Sequence, residues 1–128
     1  MAFPKQCLFI DDDADDQDFF CGAAQNIDPS IECIFADDGV QAISKLESNQ
    51  LLVPDFIFID MNMPKMNGRE CLSEIRKMQR LNDVAVYMYS TAAAPKVTEE
   101  MLQLGATDFL IKPSNINDLQ QLLEKILK

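Results

Sequence analysis

Side chains able to do chemistry stand at the ends of apolar runs in this 128-residue chain. Asp11-Asp12-Asp13 follows Leu8-Phe9-Ile10, and Asp60 ends Phe56-Ile57-Phe58-Ile59. Ser90 and Thr91 close the run 84–89, and Lys112 follows Phe109-Leu110-Ile111. If these ends meet, two or three carboxylates repel one another. At ~5 Å and an effective dielectric of ~20, each like-charged pair costs about 3 kcal/mol. A hard divalent cation offsets that repulsion, and carboxylate plus carbonyl oxygens with retained waters is the ligand set Mg²⁺ favours. Lys112 would neutralise a further anion, and the Ser90 hydroxyl could hydrogen-bond a phosphoryl oxygen. Acid pair, nucleophilic carboxylate, hydroxyl and ammonium together suit phosphoryl transfer onto Asp60.

Strands and helices must position these groups. The run 56–59 is apolar at every position, which predicts a strand buried on both faces, as in parallel sheets. Asp60 then sits at its carboxyl end, where open α/β sheets place their chemistry. A loop punctuated by Pro64 and Gly68 follows. Further strands are expected over 5–10, 31–36, 84–89 and 107–111. Helices are expected between them: one over 14–27 with Phe19, Phe20, Ala23, Ala24 and Ile27 recurring at helical spacing, and one after Gly39 with Val40, Ile43 and Leu46 on one face. A third carries Cys71, Leu72, Ile75 and Met78, a fourth Val97, Met101 and Leu104 with Gly105 closing it, and a last, from about 115, buries Ile116, Leu119, Leu122, Leu123 and Ile126. Five strands alternating with five helices predict a doubly wound parallel α/β sheet in one domain, 1–128. The order 2-1-3-4-5, taken by analogy with flavodoxin-like folds, would bring the functional ends to one edge.

Composition narrows the function classes. A net charge of −10 argues against direct nucleic-acid binding, and 48% hydrophobic residues argue for a packed core. No apolar run reaches membrane-spanning length, and no signal peptide is evident. The chain has no histidine, so a Cys/His zinc site and a histidine base are excluded within it. Cys7, Cys21, Cys33 and Cys71 are widely spaced inside apolar patterns and read as reduced, buried thiols of a cytoplasmic protein. An EF-hand reading of the acidic run fails: Asp16 stands where glycine is required and Gly22 where glutamate is required. Asp15, Asp16 and Asp18 read as a solvated helix start matched to the helix dipole.

The motifs resemble the receiver domain of two-component response regulators over essentially the whole chain. Leu8-Phe9-Ile10-Asp11-Asp12-Asp13 is similar to the family's first strand and acid pair, and 58–68 to its phosphoacceptor strand and loop. Tyr89-Ser90-Thr91-Ala92 resembles the switch-hydroxyl segment, and 105–113 the switch-aromatic and lysine segment. The resemblance implies that Asp60 is the phosphoacceptor, and that Asp11, Asp12, Asp60 and the Asn62 backbone carbonyl hold Mg²⁺, with Mn²⁺ a substitute. It implies Ser90 as the switch hydroxyl with Thr91 as its rival, Phe109 as the switch aromatic, Lys112 as the phosphate-contacting lysine, and a cis peptide before Pro113. Asn67, Thr91 and Phe109 depart from the commoner Asp, Ala or Gly, and Tyr.

The implied function is a stand-alone response regulator without an output domain. It would accept phosphate from a histidine kinase or phosphotransfer protein and signal to a protein target as a monomer or weak homodimer. It would not be an enzyme with a turnover substrate. A phosphorylation-independent scaffold is the rival class, against which the intact Asp11, Asp12, Asp60, Ser90 and Lys112 speak. A phosphohydrolase would need a second acid in Asp60-Met61-Asn62 and a cap domain, and the sequence offers neither.

Overall fold

A computed structural model of the chain describes residues 4–63 and 65–127. Met1–Phe3, Pro64 and Lys128 lie outside it, so the expected punctuation of the loop by Pro64 does too. Five strands, β1 (Gln6–Ile10), β2 (Glu32–Ala36), β3 (Phe56–Asp60), β4 (Ala85–Ser90) and β5 (Asp108–Ile111), form one parallel sheet in the order β2-β1-β3-β4-β5. Helices α1 (Ala14–Ile27), α2 (Gly39–Ser48), α3 (Gly68–Arg76), α4 (Pro95–Gln103) and α5 (Ile116–Leu127) alternate with them, and a 3₁₀ turn at Gln79–Leu81 follows α3. This is the expected flavodoxin-like architecture.

The two-residue period of the strands sorts the core into two layers. Leu8, Ile10, Ile57, Ile59, Val86 and Met88 pack on one face against α2, α3 and Met101 of α4. Cys7, Phe9, Phe58 and Tyr89 pack on the other against Phe20, Ala23 and Ala24 of α1 and Leu119, Leu123 and Leu127 of α5. The second layer is aromatic: Phe9 stacks on Phe20 at 4.2 Å, and Phe20 meets Phe58 edge-on at 4.8 Å. Such pairs add about 0.5–1.5 kcal/mol beyond burial. β3 is buried on both faces, as its unbroken apolar run predicts.

Short side chains set the helix starts. The Asp13 carboxylate accepts the Asp15 N–H at 2.9 Å, Asp38 accepts the Gln41 N–H, and Asn67 forms a capping box with Glu70. At the end of α4, Gly105 takes φ 111°, while its own N–H and that of Ala106 close back onto Leu102 and Met101.

Several expectations are corrected. Val40, Phe19, Val97 and Ile116 are exposed rather than packed on the helices' buried faces. Met78 lies beyond α3, just before the 3₁₀ turn. All four cysteines are free thiols, but only Cys7 and Cys71 are buried, Cys21 and Cys33 being half-buried. The Lys112–Pro113 peptide is trans, not cis. Trans is the default even before proline, by about 0.5–1 kcal/mol, and Lys112 reaches its partners without the cis turn.

Two glycines separate tolerance from constraint. A Cβ on Gly22, in the middle of α1, meets nothing within 4 Å, whereas one on Gly68 falls 2.8 Å from the Asp60 carbonyl oxygen and 2.9 Å from Met61 Cα. Gly22→Ala is expected to stabilise the fold by about 0.5–1 kcal/mol. Gly68→Ala should destabilise it by about 1–3 kcal/mol. Urea unfolding of the two variants checks both signs.

Candidate functional site

Parallel pairing sets the functional ends side by side. Ile10 pairs with Ile59, Asp60 with Tyr89, and Ser90 with Ile111, so Asp11 and Lys112 each leave their strand one residue later at the same edge. Backbone bonds fasten these exits: the Asp11 N–H donates to Ala36 O, Met61 N–H to Tyr89 O, and Lys112 N–H to Ser90 O at 2.7 Å. Among the described residues, Asp11, Asp60 and Ser90 are the buried polar or charged side chains. All three belong to this one edge, which is where the sequence placed the chemistry.

Lys112 Nζ lies 3.2 Å from Asp11 Oδ2, 3.5 Å from Asp60 Oδ1 and 3.3 Å from Asp16 Oδ2. It also stands 5.6 Å from the centre of the Tyr89 ring, at cation–π distance. Burial pulls the lysine down, but attraction from Asp11, Asp60 and Asp16 outweighs it, and the ammonium titrates above its ordinary value. Burial pushes the Asp11 carboxyl up to about 6; the charge of Asp60 adds to this, while the Asp13 N–H and Lys112 oppose it. Burial likewise raises Asp60, opposed by the Asn62 N–H, which donates to Asp60 Oδ1 at 3.2 Å, and by Lys112.

Carboxylate oxygens of Asp11, Asp12 and Asp60 lie within 4.8 Å of one another. Three oxygens at that spacing, two from buried side chains whose charge Lys112 balances only in part, fit a hard divalent cation. Asp12 is exposed and so open to solvent and incoming ligand. Asn62 is exposed just past β3. Ser90 is buried, its Oγ 3.4 Å from the Ala92 N–H, whereas the rival Thr91 is exposed. Phe109 is buried and lines a hollow of about 280 Å³ with Met61, Ser90, Ala92 and Val97. Pro113 is half-buried beside Lys112. Sequence reasoning missed two members. The sequence reads Asp16 as part of a solvated helix start and Tyr89 as the last residue of a strand; only the fold brings them to Lys112.

The model of the response regulator receiver domain matches residues 7–124, and the chain belongs to that family. A protein-glutamate methylesterase/protein-glutamine glutaminase of Moorella thermoacetica is 35% identical over 133 residues, covering 98% of this chain and 30% of that protein. The chain spans between 25% and 39% of the length of the first curated relatives it matches. Among solved structures, the phosphorylated cyanobacterial phytochrome response regulator RcpA superposes with a TM-score of 0.86 at 26% identity, covering 96% of this chain and 91% of that one. The Vibrio cholerae chemotaxis protein CheY4 superposes at 0.82 with 27% identity, covering 96% and 98%. No helix among the described residues is long and apolar enough to cross a membrane.

The raised Asp11 value has a sign that stability can read. At about 6 against the ordinary 3.8, the folded chain holds this proton more tightly than the unfolded one. Charged Asp11 therefore destabilises the chelator-treated fold above about pH 6, and the penalty fades as pH falls from there toward about 4. Asp11→Asn is expected to raise stability in chelator at pH 7.5 by about 1–3 kcal/mol, and the gain should vanish near pH 4. Thermal melts of both proteins across that range check it.

Proposed function

We propose that the chain is a phosphorylation-driven signalling module whose phosphoacceptor is Asp60. The observation that carries this reading is the convergence of Asp60 with the Asp11–Asp12 pair, Lys112 and the buried Ser90 hydroxyl at one strand edge. Membership of the receiver family and the likeness to a regulator solved in phosphorylated form support it.

Mg²⁺, or Mn²⁺ in its place, would be held by Asp11, Asp12, Asp60 and the Asn62 carbonyl. When bound, it supplies charge neutralisation for the carboxylates and for the transferring phosphoryl oxygens. The residues 1–128 contain no histidine, so the phosphohistidine donor belongs to a histidine kinase or phosphotransfer protein outside this stretch. An Asp60 carboxylate oxygen attacks phosphorus, the P–N bond breaks with its electron pair going to the imidazole, and an acyl phosphate remains on Asp60. That takes one carboxylate charge to nearly two and adds strong acceptor oxygens. Lys112 donates to one new oxygen and Ser90, from the end of β4, to another. Phe109 then repacks behind Ser90, remodelling the α4–β5–α5 surface for a protein target. Water later removes the phosphoryl group at the same site. The module works in the cytoplasm, as a monomer or weak homodimer and without a turnover substrate. It serves as a single receiver domain over 1–128.

The test is intact mass after incubation with Mg²⁺ and a small acyl-phosphate donor, run beside Asp60→Asn and a chelator control. One phosphoryl adduct, lost in both controls, is the expected result. A folded protein that gains no adduct from that donor or from a phosphorylated kinase would contradict the reading and favour a phosphorylation-independent scaffold.

A further inference from the structure

Asp16 is the third helical residue of α1, counted from the cap Asp13. An acidic side chain there ordinarily turns back to accept the N–H of the cap residue. Here that donor is already taken: the Asp13 N–H goes to Asp11 Oδ1 at 2.9 Å. The Asp16 carboxylate instead crosses to β5 and meets Lys112 Nζ at 3.3 Å.

An ammonium has three N–H donors, and Lys112 has three carboxylates around it, those of Asp11, Asp16 and Asp60. Asp11 and Asp60 also belong to the cluster that can hold a cation, whereas Asp16 does not. A cation on the first two therefore leaves Asp16 as the full negative charge still facing the lysine. To reach a phosphoryl oxygen, Lys112 must give up one of its present partners, and Asp16 is the partner outside the cation cluster, with Lys112 as its ion-pair partner among the described residues. The Asp16 side chain is 42% exposed, so water screens the contact and it can break.

Resting on the phosphoacceptor reading above, we propose that Asp16 is a positioning residue that regulates the same site: it holds the Lys112 ammonium toward α1 and competes with the phosphoryl group for it. Its charge also opposes the approach of an anionic donor. Asp16 thus sets how readily Lys112 commits to the phosphorylated state without touching the reacting atoms.

Beryllofluoride, a mimic of the phosphoryl group, tests this on the full chain by calorimetry in saturating Mg²⁺, with Mg²⁺ alone titrated separately. Asp16→Asn is expected to tighten beryllofluoride binding about three- to tenfold, the size of one screened charge at this range, while the Kd for Mg²⁺ moves less than about twofold. Asp16→Glu, which keeps the charge, should stay near wild type. Asp15→Asn removes the same charge from an exposed neighbour that donates its N–H to Asp13, and it should change beryllofluoride binding less than about twofold. If Asp16→Asn binds as wild type or more weakly, or if Asp15→Asn gains as much, the inference is overturned while the phosphoacceptor reading stands. A folded, Mg²⁺-binding wild type that takes up no beryllofluoride would bring down both.

Discussion

Lys112 places one ammonium against three carboxylates in a cleft where its side chain is 16% exposed, that of Asp11 1% and that of Asp60 8%. The rest of the site follows from this imbalance. Buried acids that close repel one another, and a single lysine cannot satisfy them all. The cluster therefore carries charge that only a further cation can relieve. The raised values of Asp11 and Asp60 are the same fact in terms of protons. A fold selected for stability alone would place apolar side chains here. The edge instead keeps a destabilised constellation of a kind that a bound cation would satisfy, a common trade between stability and function.

The sheet makes that imbalance possible. Parallel strands deliver all five carboxyl ends to one edge, and helices on both faces keep water from the strands behind it. Asp60 and Ser90 end two strands, and Asp11 and Lys112 stand one residue past two others, their N–H groups bonded to Ala36 O and Ser90 O. Their mutual distances thus depend on register rather than on loop conformation. Gly68 contributes locally, since any side chain there would press on the carbonyl of Asp60 itself. The aromatic layer of Phe9, Phe20, Phe58 and Tyr89 stiffens the same edge from the α1–α5 side, and Tyr89 presents its ring to the lysine.

Much of this was legible in the sequence because periodicity and strand-end chemistry are local signals. The unbroken apolar run before Asp60, the acidic cluster after Ile10 and the lysine after Ile111 could be read without a fold; their convergence needed an assumed strand order. What the sequence hid was of a different kind. Asp16 resembled its solvated neighbours Asp15 and Asp18, and only the fold brings its carboxylate to Lys112. Val40, Phe19 and Ile116 fit a helical stripe, yet they are exposed, because apolar spacing alone does not say how far round a helix the packing reaches. The bond before Pro113 was expected to be cis to aim the lysine inward. A trans bond does so as well because β5 itself directs Lys112 over Tyr89.

Among the described residues, Lys112 is the cation that balances the carboxylates of Asp11, Asp16 and Asp60. The direct measurement is the unfolding free energy of Lys112→Met against wild type at pH 7.5, in chelator and in millimolar Mg²⁺. Removing one partner of a buried ionic cluster is expected to cost about 3 kcal/mol in chelator, and Mg²⁺ should narrow that deficit, because the cluster without its ammonium binds the cation more tightly and so gains more from it than wild type does. Equal stability of the two proteins in chelator, or a deficit that Mg²⁺ leaves unchanged, would contradict it.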